Sequence, residues 1–144
     1  MKIETTRFGT VNIDEEKIIE MPMGMLGFPD SKRYFVMKHR EGSPFLWFQS
    51  IDDPSLAFVI TNPVLFSEDY RVDLEGVLEE LSWNEDGVDS HLELYVVVNV
   101  PRGAPEKMTA NLIAPLLINN TKRQAFQIVI HPSPYSHKTP LISH

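Results

Sequence analysis

The sequence contains no cysteine, and this absence narrows the chemistry that the chain can perform. Without thiols, no disulfide, thiolate metal site or cysteine-based catalysis is available. The 144 residues also contain no apolar run long enough to span a bilayer. Residues 1–4 lack the apolar core of a signal peptide. We therefore expect a cytoplasmic protein that has no membrane partner.

Recognisable catalytic and metal-binding motifs are also missing. None of the five histidines lies at a metal-binding helical spacing from another, and they are His39, His91, His131, His137 and His144. Neither Ser50 nor Ser133 stands in a strand–turn–helix nucleophile motif, and no glycine-rich phosphate loop occurs. These absences predict that the chain is not an enzyme and holds no metal or cofactor. A hydrolase whose catalytic triad is assembled only by the fold stays open as an alternative.

Positive charge is scarce, and the acids are unevenly distributed. The formal net charge is −7, and residues 68–93 carry many acids against Arg71 alone. An acidic surface argues against direct binding of nucleic acid and suits a basic protein partner. It can also be a merely solvated face that keeps the protein soluble. An RNA- or ligand-binding barrel stays open as well, because exposed Phe45, Trp47 or Tyr95 could stack on bases.

Short apolar segments separated by turns predict a mainly β fold. Residues 91–100 alternate in the pattern of a strand, and residues 45–51 carry large apolar groups on both faces, which predicts a strand covered on both sides. The Asp-Asp-Pro-Ser run at residues 52–55 is typical of a turn whose side chains bind backbone amides. Strands at this spacing predict a small, single-domain, antiparallel β-barrel-like fold over residues 1–144, with an extended tail at residues 131–144.

One short α-helix is predicted from about Asp73 to Ser82. Its apolar residues recur at i, i+3, i+4 and i+7 and are Leu74, Val77, Leu78 and Leu81. Asp73 is suited to be the N-cap. Glu79 and Glu80 fall on the opposite face, so we expect them to be exposed.

The least generic run lies at residues 107–119, where Pro115 interrupts an apolar stretch. A proline cannot donate to a sheet ladder, so it belongs at an edge, a bulge or a strand start. We predict two short strands, residues 108–113 and 116–119, kinked at the Ala114-Pro115 pair. The kink leaves backbone groups that need hydrogen-bond partners. The side chains that can supply those partners are Asn111, Asn119 and Asn120.

Several motifs that occur in order along nearly the whole chain resemble the FliW flagellar assembly factor family. They are Arg7-Phe8-Gly9, Gly24-Met25-Leu26-Gly27-Phe28, the runs at residues 44–60 and 107–119, and Tyr135-Ser136 followed by Pro140-Leu141. The resemblance implies a compact β-barrel-like domain that binds CsrA, an RNA-binding translational repressor, and also binds flagellin. It further implies that CsrA is antagonised allosterically, away from its RNA surface. Mimicry of RNA by the acidic segment is the competing mechanism.

We predict partner-binding residues in two places, the region around the helix and the kinked strand. The first place contributes Phe66, Glu68, Asp69, Tyr70, Glu79 and Glu80, and the second contributes Asn111, Pro115 and Asn119. The acids would steer a basic partner, and the aromatic residues would anchor it.

Overall fold

The computed structural model describes residues 1–38, 40–66, 69–83, 92–100, 103–130 and 138–140. The strands within these ranges are β1 Lys2–Thr5, β2 Gly9–Asn12, β3 Ile19–Glu20, β4 Arg33–Lys38, β5 Phe45–Ser50, β6 Ala57–Thr61, β7 Leu92–Asn99, β8 Thr109–Ala110, β9 Leu116–Asn119, β10 Gln124–Gln127 and β11 Thr139–Pro140. One α-helix, α1, spans Glu75–Glu80 in the described part of the chain. The predicted mainly β fold with one short helix is confirmed.

Strand β7 closes the sheet into a barrel because it pairs with two different strands. Its C-terminal half pairs with β6, where Val98 lies opposite Val59. Its N-terminal half pairs with β9, where Tyr95 lies opposite Leu116. Among the described strands, the closed circuit therefore runs β7-β6-β5-β4-β3-β10-β9, a barrel of seven strands. Closure satisfies the backbone edges that an open sheet would expose.

One seam of the barrel is parallel, whereas the sequence predicted antiparallel pairing. Strand β10 runs beside β3 with Gln124 opposite Glu20. The Glu20 N–H donates to the Arg123 carbonyl at 2.9 Å. This seam joins segments that are distant in the chain. The apolar pattern within each segment therefore cannot specify whether the two strands run parallel or antiparallel.

Two smaller pieces lie outside the closed circuit. Strands β1 and β2 form a hairpin of their own, and β8 adds to the edge of β7. Strand β11 pairs with the outer edge of β8, where Thr139 lies opposite Ala110. Pro140 thus sits on an edge strand, where its missing N–H is tolerated. The rest of the predicted tail, residues 131–137 and 141–144, lies outside the described residues.

The barrel interior is filled by one apolar cluster. Tyr34 and Phe48 stack at its centre, with ring centroids 4.5 Å apart. The other buried members are Ile19, Met21, Met25, Ile60, Leu116, Ile118 and Ala125. Burying a large apolar side chain contributes about 1.5–3 kcal/mol relative to leaving it exposed. The interior cluster is therefore a principal source of the stability of the barrel.

Helix α1 covers the outer face of β9 and β10. Its predicted apolar stripe packs around Trp83 and Leu117, which are 2% and 1% exposed. The Trp83 ring also meets Phe126, with centroids 5.5 Å apart. The stripe is confirmed, and it fixes which side of the helix faces water.

The helix is shorter at both ends than the predicted span from Asp73 to Ser82. At the start, the N-cap is Leu74 rather than Asp73, and the Asp73 Oδ1 accepts a hydrogen bond from the first helical N–H at 3.1 Å. At the end, Ser82 adopts a φ of 59°. The Trp83 N–H then donates to the Leu78 carbonyl at 2.8 Å. This is a Schellman ending, and its left-handed residue stops the helix.

The kinked stretch bends over residues 112–114, and not only at the predicted Ala114-Pro115 pair. Strand β8 ends at Ala110, which is earlier than predicted. The Asn111 Oδ1 accepts hydrogen bonds from the N–H groups two and three residues further on, both at 3.2 Å. The prediction that Asn111 supplies backbone partners is confirmed, and its side chain explains why the strand ends early.

A second asparagine turn ends β9. The Asn119 Oδ1 accepts hydrogen bonds from the N–H groups two and three residues further on, both at 3.0 Å, which repeats the geometry at Asn111. Asn120 binds side chains instead of backbone, because its Nδ2 donates to Glu93 and its Oδ1 accepts from Arg123. The prediction that asparagine side chains serve the backbone of the kink is therefore confirmed for Asn111 and wrong for Asn119 and Asn120, because Asn119 serves the turn after β9.

Candidate partner-binding surfaces

Helix α1 presents a row of carboxylates to water. Because its apolar stripe packs against the barrel, the acids on the other side are exposed, and they are Glu75, Glu79 and Glu80. Asp69 and Asp73, which precede the helix, are exposed as well. Among the described residues, none of these acids is in an ion pair, since the salt bridge found there joins Arg33 and Asp52. We call this set of exposed acids the acidic face.

The loop before α1 contains one exposed and one buried aromatic residue. Phe66 is 36% exposed, and its ring stacks on Phe45 with centroids 5.9 Å apart. Tyr70 is only 2% exposed, and its hydroxyl donates to the Leu112 carbonyl at 2.7 Å. Tyr70 was predicted as a contact residue, but its side chain is occupied in holding the loop on the barrel. Glu68 lies outside the described residues.

The predicted contact residues of the kinked strand also serve the fold. Pro115 and Asn119 are buried, and Asn111 is half-buried with its side-chain oxygen used by the turn. The structure therefore leaves Phe66, Asp69 and the helix acids accessible. It does not join Pro115 or Asn119 to them as one surface.

The segment between β6 and α1 covers part of the outer face of β7 and β8. Tyr70 and Leu112 pack there against Val96 and Ala110, with Val72 beside them. The neighbouring part of the same outer face is left open.

The open part is a groove of about 1160 Å³, which the sequence did not predict. Its floor follows one row across the sheet, in which Trp47 lies opposite Val59 and Val59 lies opposite Val98. Residues 45–51 were expected to be covered on both sides, but Phe45 and Trp47 are only half-buried. We call this cavity the Trp47 groove.

Two residues of the β1–β2 turn approach the tryptophan at the groove. The Arg7 guanidinium lies over the Trp47 ring, 4.6 Å from its centroid. The Phe8 ring meets the same tryptophan in a T-shaped contact, with centroids 5.4 Å apart. Such cation–π and edge contacts hold the hairpin turn against β5. Arg40 and Glu41 line the groove on the loop before β5.

A second cavity, of about 600 Å³, lies elsewhere on the barrel and is lined partly by Glu93 and Tyr95. The Tyr95 hydroxyl donates to Glu93. Burial, together with this hydrogen bond to a carboxylate, raises the pKa of Tyr95 above its ordinary value. Arg123 donates to Asn120 at 2.9 Å and to the Lys17 carbonyl at 2.6 Å. The network ties the turn after β9 to β7 and to the chain before β3.

The acids of the Asp-Asp-Pro-Ser turn bind backbone amides, as predicted. The Asp52 Oδ2 accepts from the Lys32 and Arg33 N–H groups at 2.9 and 3.1 Å, and its Oδ1 accepts from the Arg33 Nε at 2.9 Å. The Asp53 Oδ1 accepts from the Ser55 N–H at 3.0 Å. Partial burial works to raise the pKa of Asp52, but the hydrogen bonds and the arginine charge prevail and lower it.

The described residues contain neither a cluster of metal ligands nor a membrane-spanning helix. No group of three or more potential ligand side chains is arranged to hold a metal ion within those residues. No helix in the described part of the chain is long and apolar enough to cross a membrane.

Comparisons with known proteins point to one family. The model of the FliW protein family matches residues 2–141 of the chain. A flagellar assembly factor FliW from Syntrophus aciditrophicus is 42% identical over 134 residues, covering 92% of this chain and 82% of the relative. The FliW of Natranaerobius thermophilus is 37% identical over 143 residues, covering 99% and 93%. The FliW of Bacillus subtilis is 35% identical over 142 residues, covering 98% and 96%.

A solved structure shows the same architecture. The crystal structure of a flagellar assembly factor FliW superposes with a TM-score of 0.87 at 30% sequence identity. The superposition covers 100% of this chain and 99% of that one.

Proposed function

Because the chain belongs to the FliW family of flagellar assembly factors, we propose that it binds the translational repressor CsrA and, in competition, flagellin. In this proposal the protein relieves repression of flagellin synthesis while it holds CsrA. Flagellin that accumulates occupies the protein and releases CsrA. Export of flagellin then frees the protein to bind CsrA again.

The observation that carries the proposal is the acidic face. Its carboxylates are exposed, and within the described residues they have no ion-pair partner. A protein that binds RNA must present basic surface. An acidic face therefore accelerates encounter with such a protein, and it also repels RNA.

Phe66 supplies an exposed apolar contact in the loop that leads to α1. It is part-exposed, and it precedes the exposed Asp69 closely in the chain. Desolvated aromatic anchors act mainly on how long a complex lasts. We therefore propose that the acidic face determines the rate of association with CsrA. Phe66 determines the rate at which the complex dissociates.

The antagonism is assigned to binding away from the RNA surface of CsrA, with mimicry of RNA as the alternative. The two mechanisms differ when the protein is added to a preformed CsrA–RNA complex. An allosteric antagonist accelerates the dissociation of RNA as its concentration rises. A mimic can bind only after RNA has left, so the dissociation rate of RNA stays constant.

A pull-down from the native host tests the partners directly. We expect the tagged chain to recover CsrA and flagellin, and recovery of neither would contradict the proposal.

We expect the two partners to compete, because one small domain has limited room for two standard interfaces of about 800 Å² per partner. Calorimetry tests this competition. Saturating flagellin should weaken the binding of CsrA. An unchanged affinity for CsrA would refute the competition.

A further inference from the structure

The size and lining of the Trp47 groove suit a protein segment better than a small ligand. Its volume of about 1160 Å³ exceeds the roughly 300–1,000 Å³ typical of small-molecule sites. Beyond its aromatic residues, the lining includes aliphatic side chains, among them Val59, Val98, Val100 and Met108. An aliphatic floor recognises apolar side chains without demanding a particular hydrogen-bonding pattern.

Apolar surface is exposed at the groove and beside it. Val100 lines the groove and is 44% exposed. Phe45, also in the lining, stacks on Phe66, which follows the 61%-exposed Leu65. Contiguous apolar surface that is exposed marks sites of association on proteins.

The charge at the groove opposes the charge of the whole protein. Among the described residues that line it, the charged ones are Arg7, Arg40 and Glu41, although the chain has a net charge of −7. In the described part of the chain, neither arginine is in a salt bridge. Guanidinium groups bind carboxylates strongly through paired hydrogen bonds. The groove therefore favours a segment that bears carboxylates.

The aromatic rings are poorly placed to bind RNA. Sequence-independent binding of single strands relies on aromatic faces that are free to stack on bases. Here the Arg7 guanidinium covers one face of Trp47, and Phe45 stacks on Phe66. The observations thus favour a protein segment over a nucleic acid.

We propose that the Trp47 groove is a docking site for an apolar protein segment that carries acidic residues. Arg7 and Arg40 bind the carboxylates of the segment, and the floor of valines buries its apolar side chains. The groove differs in sign and in location from the acidic face, so it selects a different kind of partner surface. This inference goes beyond the proposed function, and its test needs neither CsrA nor flagellin.

The emission of Trp47 reports on the groove, because the other tryptophan, Trp83, is only 2% exposed. The probe is a blocked peptide of about 15 residues without aromatic residues, with leucine on one helical face and glutamate on the other. Matched peptides carry glutamine or lysine in place of glutamate. We expect the glutamate peptide to shift the emission and to bind more tightly than both matched peptides. Trp47→Phe should abolish the shift.

Charge variants locate the binding. Arg7→Gln combined with Arg40→Gln should lower the affinity for the glutamate peptide by about tenfold, since each exposed ion pair contributes up to about 1 kcal/mol. Lys122→Gln is the matched control, because this exposed lysine lies on the turn after β9, and it should leave the affinity unchanged.

Three results would overturn the proposal. The first is equal binding of the glutamate and lysine peptides, or no shift with any peptide. The second is tighter binding of a short oligouridine RNA than of the glutamate peptide. The third is a dimer in sedimentation velocity that the double arginine variant dissociates, since the groove would then hold a second copy of the chain.

Discussion

The outer surface of the barrel is covered to different extents on its two sides. Outside β9 and β10, helix α1 packs on the sheet and presents its carboxylates to water. Outside β5, β6 and β7, the covering is partial, and a groove of about 1160 Å³ remains. The contrast shows that one small barrel can offer an acidic, sealed side and an aromatic, open side. Substitutions on the two sides should therefore differ in their effect on the stability of the protein.

The largest expected difference is between the two tryptophans. Trp83→Ala removes the residue around which the helix packs, so we expect a loss of about 3–5 kcal/mol in the free energy of unfolding. Trp47→Ala removes a half-buried ring, and we expect a loss of about 1–2 kcal/mol. Urea denaturation followed by circular dichroism measures both. Equal losses would contradict the distinction between a sealed and an open side.

The second comparison is between Tyr70 and Phe66 in the loop that joins the two sides. Tyr70→Phe leaves the buried Leu112 carbonyl without its partner, which should cost about 1–3 kcal/mol. Phe66→Leu keeps an apolar group at a part-exposed position and should cost less than about 1 kcal/mol. Thermal unfolding of the two variants distinguishes them. If Phe66→Leu proved the more damaging, the assignment of Tyr70 to the fold and of Phe66 to the surface would be wrong.

A third comparison separates acids that hold the fold from acids that do not. Asp52→Ala removes hydrogen bonds to two backbone amides and should cost about 1–2 kcal/mol at pH 7. The double change Glu79→Gln and Glu80→Gln should cost less than about 0.5 kcal/mol.

The stabilisation that Asp52 contributes should depend on pH and should decrease in acid. Its folded-state pKa is lowered, so the carboxylate stabilises the fold above its unfolded pKa of about 3.9. That contribution is lost as the pH falls through the lowered folded value. The difference between the wild type and Asp52→Ala should thus shrink in acid, as urea titrations at several pH values would show. A difference that grew in acid would contradict the assigned cause.

One substitution on the sealed side should raise the stability of the protein instead of lowering it. Ser82 ends the helix at a φ of 59°, a conformation that favours glycine. Ser82→Gly should therefore stabilise the protein by about 0.5–1 kcal/mol. Arg123 has a similar φ of 53°, but Arg123→Gly removes its hydrogen bonds to Asn120 and Lys17 and should destabilise. A melting temperature that falls with Ser82→Gly would refute this account of the helix end.

Features specified by neighbouring residues could be predicted from the sequence. The apolar stripe of α1, the alternation in β7 and the turn at Asp52 all depend on spacing within a few residues. The asparagine turn at Asn111 follows from a proline nearby that leaves backbone amides to satisfy. These predictions are confirmed because local chemistry determines each of them.

Features that depend on distant neighbours could not be predicted. Closure through β7 and the parallel seam between β3 and β10 join segments far apart in the chain. The same limit explains why the sequence could not tell which predicted partner-binding residues are exposed. An aromatic residue in a polar loop can be exposed like Phe66 or buried like Tyr70, and only the position of the Leu112 carbonyl decides between them. The Trp47 groove was missed because its opening depends on how much of β5 the hairpin turn covers.

The central claim is that the acidic face of the sealed side drives encounter with CsrA. The direct test is surface-based binding kinetics with purified CsrA at two salt concentrations, using Glu79→Lys combined with Glu80→Lys. Glu15→Lys with Glu16→Lys is the matched control, since these exposed acids lie on the turn before β3 and not on α1. We predict slower association and a flatter salt dependence for the helix variant alone, with an unchanged circular dichroism spectrum. An unchanged association rate and salt slope would contradict the claim and leave the acidic face as a solubilising surface.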